Sequence, residues 1–226
     1  MSHKFIFHYD TVSPWAYVAF EVLKRYRKQW NLDLVLEPVN LGYIMHFSGN
    51  RPPIAVANKG IWMNEDMDRA SKFYGVTLNR SPRFPVNTQG PQCLLRLMKD
   101  DDPSRLEAAT DIFFKASWVH DQEVGTTEQL RSLVSSLYSG GSGSDASKLD
   151  ALLLKSQSKE YKAKVKEEAR QLVEQGGCFG MPWMVITRVQ DGRTTRWFGS
   201  DRFEQIAAFL EVPYKGARGD GSIAKL

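Results

Sequence analysis

The spacing of apolar positions changes several times along the chain. Residues 4–9, Lys-Phe-Ile-Phe-His-Tyr, form a short aromatic and β-branched run that predicts a strand. Val18, Val22, Tyr26 and Trp30, with Leu23 beside them, then recur at helical spacing. Residues 32–38 alternate for part of their length and predict a second strand, so the chain opens as β-α-β. The far end predicts β-β-α: a strand over Pro182–Thr187, a tight turn at Asp191-Gly192, a returning strand over Thr194–Phe198 and a short helix over Phe203–Leu210. Between these ends strand signals are weak. Helical spacing is clearest over 92–99, 105–120, 128–137 and 148–175, and the Gly-Gly-Ser-Gly-Ser run at 140–144 predicts a flexible loop.

A β-α-β unit, a helical block and a β-β-α unit in that order predict an α/β thioredoxin-like fold with a large all-helical insertion. The right-handed β-α-β crossover limits how such a chain can wind. The expected division is a thioredoxin-like domain from 1–44 plus 177–214, an inserted helical domain over 45–176 and a flexible C-terminal tail over 215–226.

Composition narrows the functions. With 226 residues, 42% hydrophobic and 25% charged, the chain can bury one sizeable core, and its net charge of +4 is interleaved with acidic residues. The basic stretch Lys155–Arg170 includes Glu160, Glu167 and Glu168, as expected of a solvated helix face, not a nucleic-acid patch. Cys93 and Cys178 form no CxxC motif and no metal-ligand cluster, which excludes a disulfide framework and fits a reducing compartment. No apolar run approaches the ~18–20 residues that span a bilayer, and the start of the chain is too short in apolar residues for a secretory signal. Ala224-Lys225-Leu226 is a close variant of the Ser-Lys-Leu peroxisomal address. That favours a peroxisomal location over a mitochondrial or cytoplasmic one, with the tail exposed for recognition.

Four stretches could carry chemistry. Ser13-Pro14-Trp15 begins the first predicted helix: Ser13 suits an N-cap and Pro14 the first helical position. A helix start also favours an anion, so Ser13 could cap the helix or donate to a ligand thiolate. Met181-Pro182 leads into a strand where a cis proline would leave the Met181 backbone open to an extended peptide. Ser200 and Asp201 could cap the last helix or hold a charged ligand terminus. Asn50, in Ser48–Pro53, and Lys59 after it lie in an irregular region that could be a plain connector or a flap over a site. Cys178 sits near these residues and could be a reactive thiol or a plain buried one.

Taken together, the motifs resemble the kappa-class glutathione transferases, in the DsbA-like branch of the thioredoxin superfamily. The matching residues are Tyr9-Asp10-x-x-Ser13-Pro14 with Phe20-Glu21, Ser48–Pro53, Lys59-Gly60, Phe179-Gly180-x-Pro182 and Phe198–Arg202, in register over nearly the whole chain. The resemblance implies glutathione as co-substrate, with Ser13 stabilising its thiolate and Met181, beside a cis Pro182, pairing with its cysteinyl backbone. It also implies Ser200 and Asp201 at the γ-glutamyl end, Asn50 reaching in from the insertion, Lys59 near the glycyl carboxylate, and a homodimer. The family usually carries Tyr-Ser where this chain has Trp15-Ala16, and often Leu at Met181, differences that bear on the second substrate. The implied activity is thiolate attack on a small apolar electrophile. Two alternatives are glutathione-dependent isomerisation of a phenolic metabolite, as in the similar 2-hydroxychromene-2-carboxylate isomerases, and non-catalytic glutathione binding. No metal, nucleic acid or membrane partner is expected.

Overall fold

The computed structural model describes residues 2–139 and 143–224, with the backbone only for Gly143 and Ser144. Strands β1 (His3–Tyr9), β2 (Leu32–Pro38), β3 (Trp183–Thr187) and β4 (Thr194–Phe198) make one sheet in the order β2-β1-β3-β4. β2 runs parallel to β1, and β3 and β4 are antiparallel to their neighbours, with Ile6 opposite both Val35 and Val185. Helix α1 (Pro14–Tyr26) makes the β1–β2 crossover, and α9 (Phe203–Leu210) follows β4. This is the thioredoxin order expected from the sequence.

The central block is helical: α2 (Leu41–Ser48), α3 (Ala57–Tyr74), α4 (Gln89–Asp101), α5 (Pro103–Trp118), α6 (Thr127–Val134), α7 (Gly143–Ser156) and α8 (Lys159–Glu174), with 3-10 turns at Pro53–Ala55 and Ser135–Tyr138. Alternation along β1 buries Phe5, Phe7 and Tyr9 on one face. There they meet Phe20 of α1 and Phe114 of α5, whose ring lies 5.4 Å from that of Phe20 and 5.6 Å from that of Tyr9. Each such ring contributes roughly 2 kcal/mol by leaving water. The buried core runs without a break from the sheet into α4, α5 and α7, and the expected 44/45 boundary falls inside α2.

Three expectations are corrected. The apolar periodicity over 148–175 belongs to two helices: the chain breaks at Gln157-Ser158, and Ser158 caps α8 by accepting from the Tyr161 N–H at 3.1 Å. Of the expected loop at 140–144, Gly143 and Ser144 begin α7, and Gly140, Gly141 and Ser142 lie outside the described residues. The tail expected to be flexible from Lys215 is instead tied to α1. Tyr26 Oη donates to Gly216 O at 2.6 Å, Arg25 Nη1 to Ala217 O at 3.0 Å and Gln29 Nε2 to Gly219 O at 3.3 Å. Backbone carbonyls do this work, so an apolar-poor composition does not free the segment. Within the proposed peroxisomal address, Lys225 and Leu226 lie outside the described residues.

Candidate active site

The β1–α1 turn presents Ser13 at the N-terminus of α1. Ser13 has extended backbone (φ −88°, ψ 115°), its Oγ accepts from the Ala16 N–H at 3.2 Å, and Pro14 occupies the first helical position. The Ser13 hydroxyl donates in turn to the carbonyl of Met181, 3.3 Å away. The Met181-Pro182 bond is cis. Sequence positions 13 and 181 are therefore in direct contact, although 168 residues separate them. At 3.3 Å this is a long O–H···O bond, and an anionic acceptor would compete well for that proton.

The neighbouring turn is built on close approach. A Cβ on Gly180 would sit 2.8 Å from the Phe198 ring, and Gly199, at φ +94°, adopts a conformation that L side chains rarely take. The Gly199 N–H donates to Pro182 O at 3.1 Å, which fixes Ser200 and Asp201 beside the Met181 segment. Ser200 is buried and Asp201 exposed, and Tyr74 Oη donates to Ser200 O at 3.1 Å. Asn50 reaches from the loop after α2 to the other side of the same segment, its Nδ2 donating to Phe179 O at 2.7 Å.

These elements frame a cleft of about 730 Å³. Trp15, Met181, Phe198 and Gly199–Asp201 form one side; Lys59, Trp62, Met63, Asp66, Arg69 and Phe73 of α3 form the other. The lining is mainly apolar and aromatic, with charges at Lys59, Asp66, Arg69 and Asp201. Arg69 pairs with Asp66 at 3.3 Å and lies 5.7 Å from the Trp62 ring. A smaller polar hollow of about 430 Å³, lined by Tyr43, His46, Gln89 and Lys166, contains none of the residues singled out from the sequence.

Of the residues expected at a site, Trp15, Lys59, Met181, Ser200 and Asp201 line the cleft, and Ser13, Pro14 and Pro182 lie directly behind it. Asn50 stands at the rim and braces the Phe179 carbonyl. Cys178 is buried with its Sγ 3.6 Å from Gly180 O, and burial pushes its thiol up to about 12, which leaves it protonated and inert. Trp62, Arg69, Phe73 and Tyr74 were not visible as site residues in the sequence, which reads as an irregular region as far as Lys59; the structure instead has Lys59 in the first turn of α3, whose later turns carry the other four to the cleft. Asp10, read in the sequence only as part of the Tyr9-Asp10-x-x-Ser13-Pro14 motif, had no role assigned to it. It is fully buried, and desolvation pushes its carboxyl up to about 6, against hydrogen bonds from Leu41, Val12, Thr88 and Gln92 that favour the charged form.

The arrangement offers a hydroxyl at a helix N-terminus, a Met181 N–H with no acceptor among the described residues, and an apolar cleft flanked by both signs of charge. It can hold an extended peptide-like anion with its reactive atom at Ser13. Among the described residues no His, Cys, Asp or Glu cluster could hold a metal ion.

Comparison with known proteins follows the same lines. The family model for a DsbA-like thioredoxin domain matches residues 5–211. Glutathione S-transferase kappa 1 of Caenorhabditis elegans is 28% identical over 214 residues, covering 92% of this chain and 90% of that protein. Among solved structures, 2-hydroxychromene-2-carboxylate isomerase has a TM-score of 0.72 at 18% identity, over 92% of this chain and 94% of that one. The cytosolic disulfide reductase DsbM of Pseudomonas aeruginosa, solved with GSH, has a TM-score of 0.61 at 18% identity, over 92% of this chain and 97% of that one. At these identities the two structures speak for the fold.

Proposed function

The chain belongs to the DsbA-like thioredoxin domain family, and from that premise we propose that it is a glutathione transferase of the kappa type. The observation that carries this reading is the meeting of Ser13, the Met181 backbone and the Ser200-Asp201 turn beside one apolar cleft, in a chain with no cysteine at the start of α1. Without that cysteine the site cannot exchange disulfides, so the thiol must come from the ligand.

Glutathione would lie extended along the Met181 segment. The Met181 N–H pairs with its cysteinyl unit, Ser200 and Asp201 take the γ-glutamyl end, and Lys59 neutralises the glycyl carboxylate. A free thiol with a pKa of roughly 8.5 is mostly protonated at neutral pH. The Ser13 hydroxyl would release Met181 O and donate to the thiolate, and the N-terminus of α1 adds its positive end. The thiolate then attacks an electrophilic carbon seated against Trp15 and Trp62: a C–S bond forms, and the leaving group departs with its electron pair. Exposed Ile54, Val56 and Ile61 beside the cleft support a homodimer, which light scattering should report as twice the 25.7 kDa chain mass.

The test is the ultraviolet thiolate band of bound glutathione across pH. The wild type should titrate well below free glutathione. Ser13→Ala should move the titration up by about 1–2 units, the value of a hydrogen bond to a charged group. If glutathione titrates as it does in free solution, the reading fails. Turnover of a substrate with no net loss of glutathione would identify an isomerase instead.

A further inference from the structure

Asp10 joins the turn that carries Ser13 to two helices of the insertion. Its Oδ1 accepts from the Val12 N–H at 3.0 Å and its Oδ2 from the Leu41 N–H at 2.7 Å, at the first residue of α2. Thr88 and Gln92, at the start of α4, add side-chain hydrogen bonds, and the Asp10 carbonyl accepts the Ser13 N–H at 3.0 Å. Thr11 is held in the same way: Gln92 Nε2 donates to its Oγ1 at 3.1 Å, and Trp118 Nε1 donates to its carbonyl at 2.9 Å. Helix α2 leads on to Asn50, which braces the Phe179 carbonyl on the far side of the site.

We propose that Asp10 is a positioning residue for the thiolate site: its carboxylate fixes the β1–α1 turn to α2 and α4, and so fixes where the Ser13 hydroxyl points. This rests on the glutathione reading above. The groups that meet the carboxylate are hydrogen-bond donors, so the position requires an acceptor on both oxygens. An asparagine has one acceptor oxygen. Its amide N–H groups would face either the Val12 or the Leu41 N–H, donor against donor, and the turn would shift. Displacements of about 1 Å are enough to spoil a catalytic hydrogen bond.

The sign of the effect separates positioning from a direct field. If Asp10 acted only through its negative charge, Asp10→Asn would ease thiolate formation and lower the titration of bound glutathione. Acting through Ser13, it should raise that titration by roughly half a unit to one unit. The experiment is a double-mutant cycle: the thiolate band of bound glutathione across pH in wild type, Asp10→Asn, Ser13→Ala and the double variant. The expected result is an upward shift for Asp10→Asn that disappears in the Ser13→Ala background. An Asp10→Asn titration equal to or below wild type overturns the proposal, as does a shift that persists in full beside Ser13→Ala. Should Asp10→Asn fail to fold, Thr88→Val, which removes one donor, should move the titration in the same upward direction. An unmoved titration there overturns the proposal equally. In each of these outcomes a wild-type titration well below free glutathione keeps the transferase reading intact. A wild-type titration like that of free glutathione brings down both.

Discussion

The molecule buries two aspartates at junctions between elements, and it treats them in opposite ways. Asp10, in the β1–α1 turn, is met by two backbone N–H groups with Thr88 and Gln92, and its carboxyl is pushed up to about 6. Asp102, between α4 and α5, is met by Arg105 at 3.1 Å, Lys148 at 3.0 Å and the Tyr138 hydroxyl at 2.8 Å. Its carboxyl is held below the ordinary value: burial works to raise it, and the hydrogen bonds and the charge of Lys148 and Arg105 outweigh that. Asp102 is a structural rivet whose charge is matched. Asp10 is a carboxylate kept in place with its charge uncompensated, at a cost in stability, behind the residue proposed to touch the thiol.

The largest test of this contrast is the dependence of stability on pH. For Asp10 the folded pKa of about 6 lies above the ordinary 3.8, so folding favours the protonated form. Its contribution is fullest below the ordinary value and is lost as pH rises through 6, a change on the order of 3 kcal/mol. Denaturant melts of wild type and Asp10→Asn between pH 4 and 7 should therefore draw together or diverge by about that amount, with the wild type losing ground as pH rises. A difference that stays constant over this range would break the contrast. For Asp102 the sign is reversed: its lowered pKa gives stability that is present above 3.8 and lost as pH falls through the folded value.

A smaller effect sharpens the same point. Asp102→Asn at neutral pH should cost about 1–3 kcal/mol, because Arg105 and Lys148 lose a charged partner. It should leave the thiolate titration of bound glutathione where it is. A shifted titration in that variant would mean that general loosening of the helical block reaches the site, and Asp10 would then have no special standing.

Much of the frame was legible in the sequence. The β-α-β opening and β-β-α close carry their own punctuation, in Ser13-Pro14, Asp191-Gly192 and the alternation along β1. Ser13 and Met181 could be brought together because the fold's order fixes where the first helix and the third strand begin, and Ser200 joined them only through the resemblance carried by Phe198–Arg202. What escaped was whatever depends on pairing at a distance. Asp10 reads as an ordinary turn residue until α2 and α4 close over it. The split at Gln157-Ser158 is hidden because the apolar residues on both sides continue at helical spacing. The docking of the tail depends on Tyr26 and Arg25, residues of α1 that look like part of a helix face.

The two sides of the cleft are not equally free to evolve. On the sheet side Gly180 has no room for a methyl group, Gly199 needs its positive φ, and Ser13 caps a helix while facing Met181. On the α3 side Trp62 is 57% exposed, and replacing it disturbs little packing. Mutational drift can therefore explore new acceptors at exposed α3 positions such as Trp62, away from Lys59 and the buried Met63, Met67 and Ala70, while the sheet side stays fixed, and a lineage of such proteins could diversify its chemistry at little risk to folding.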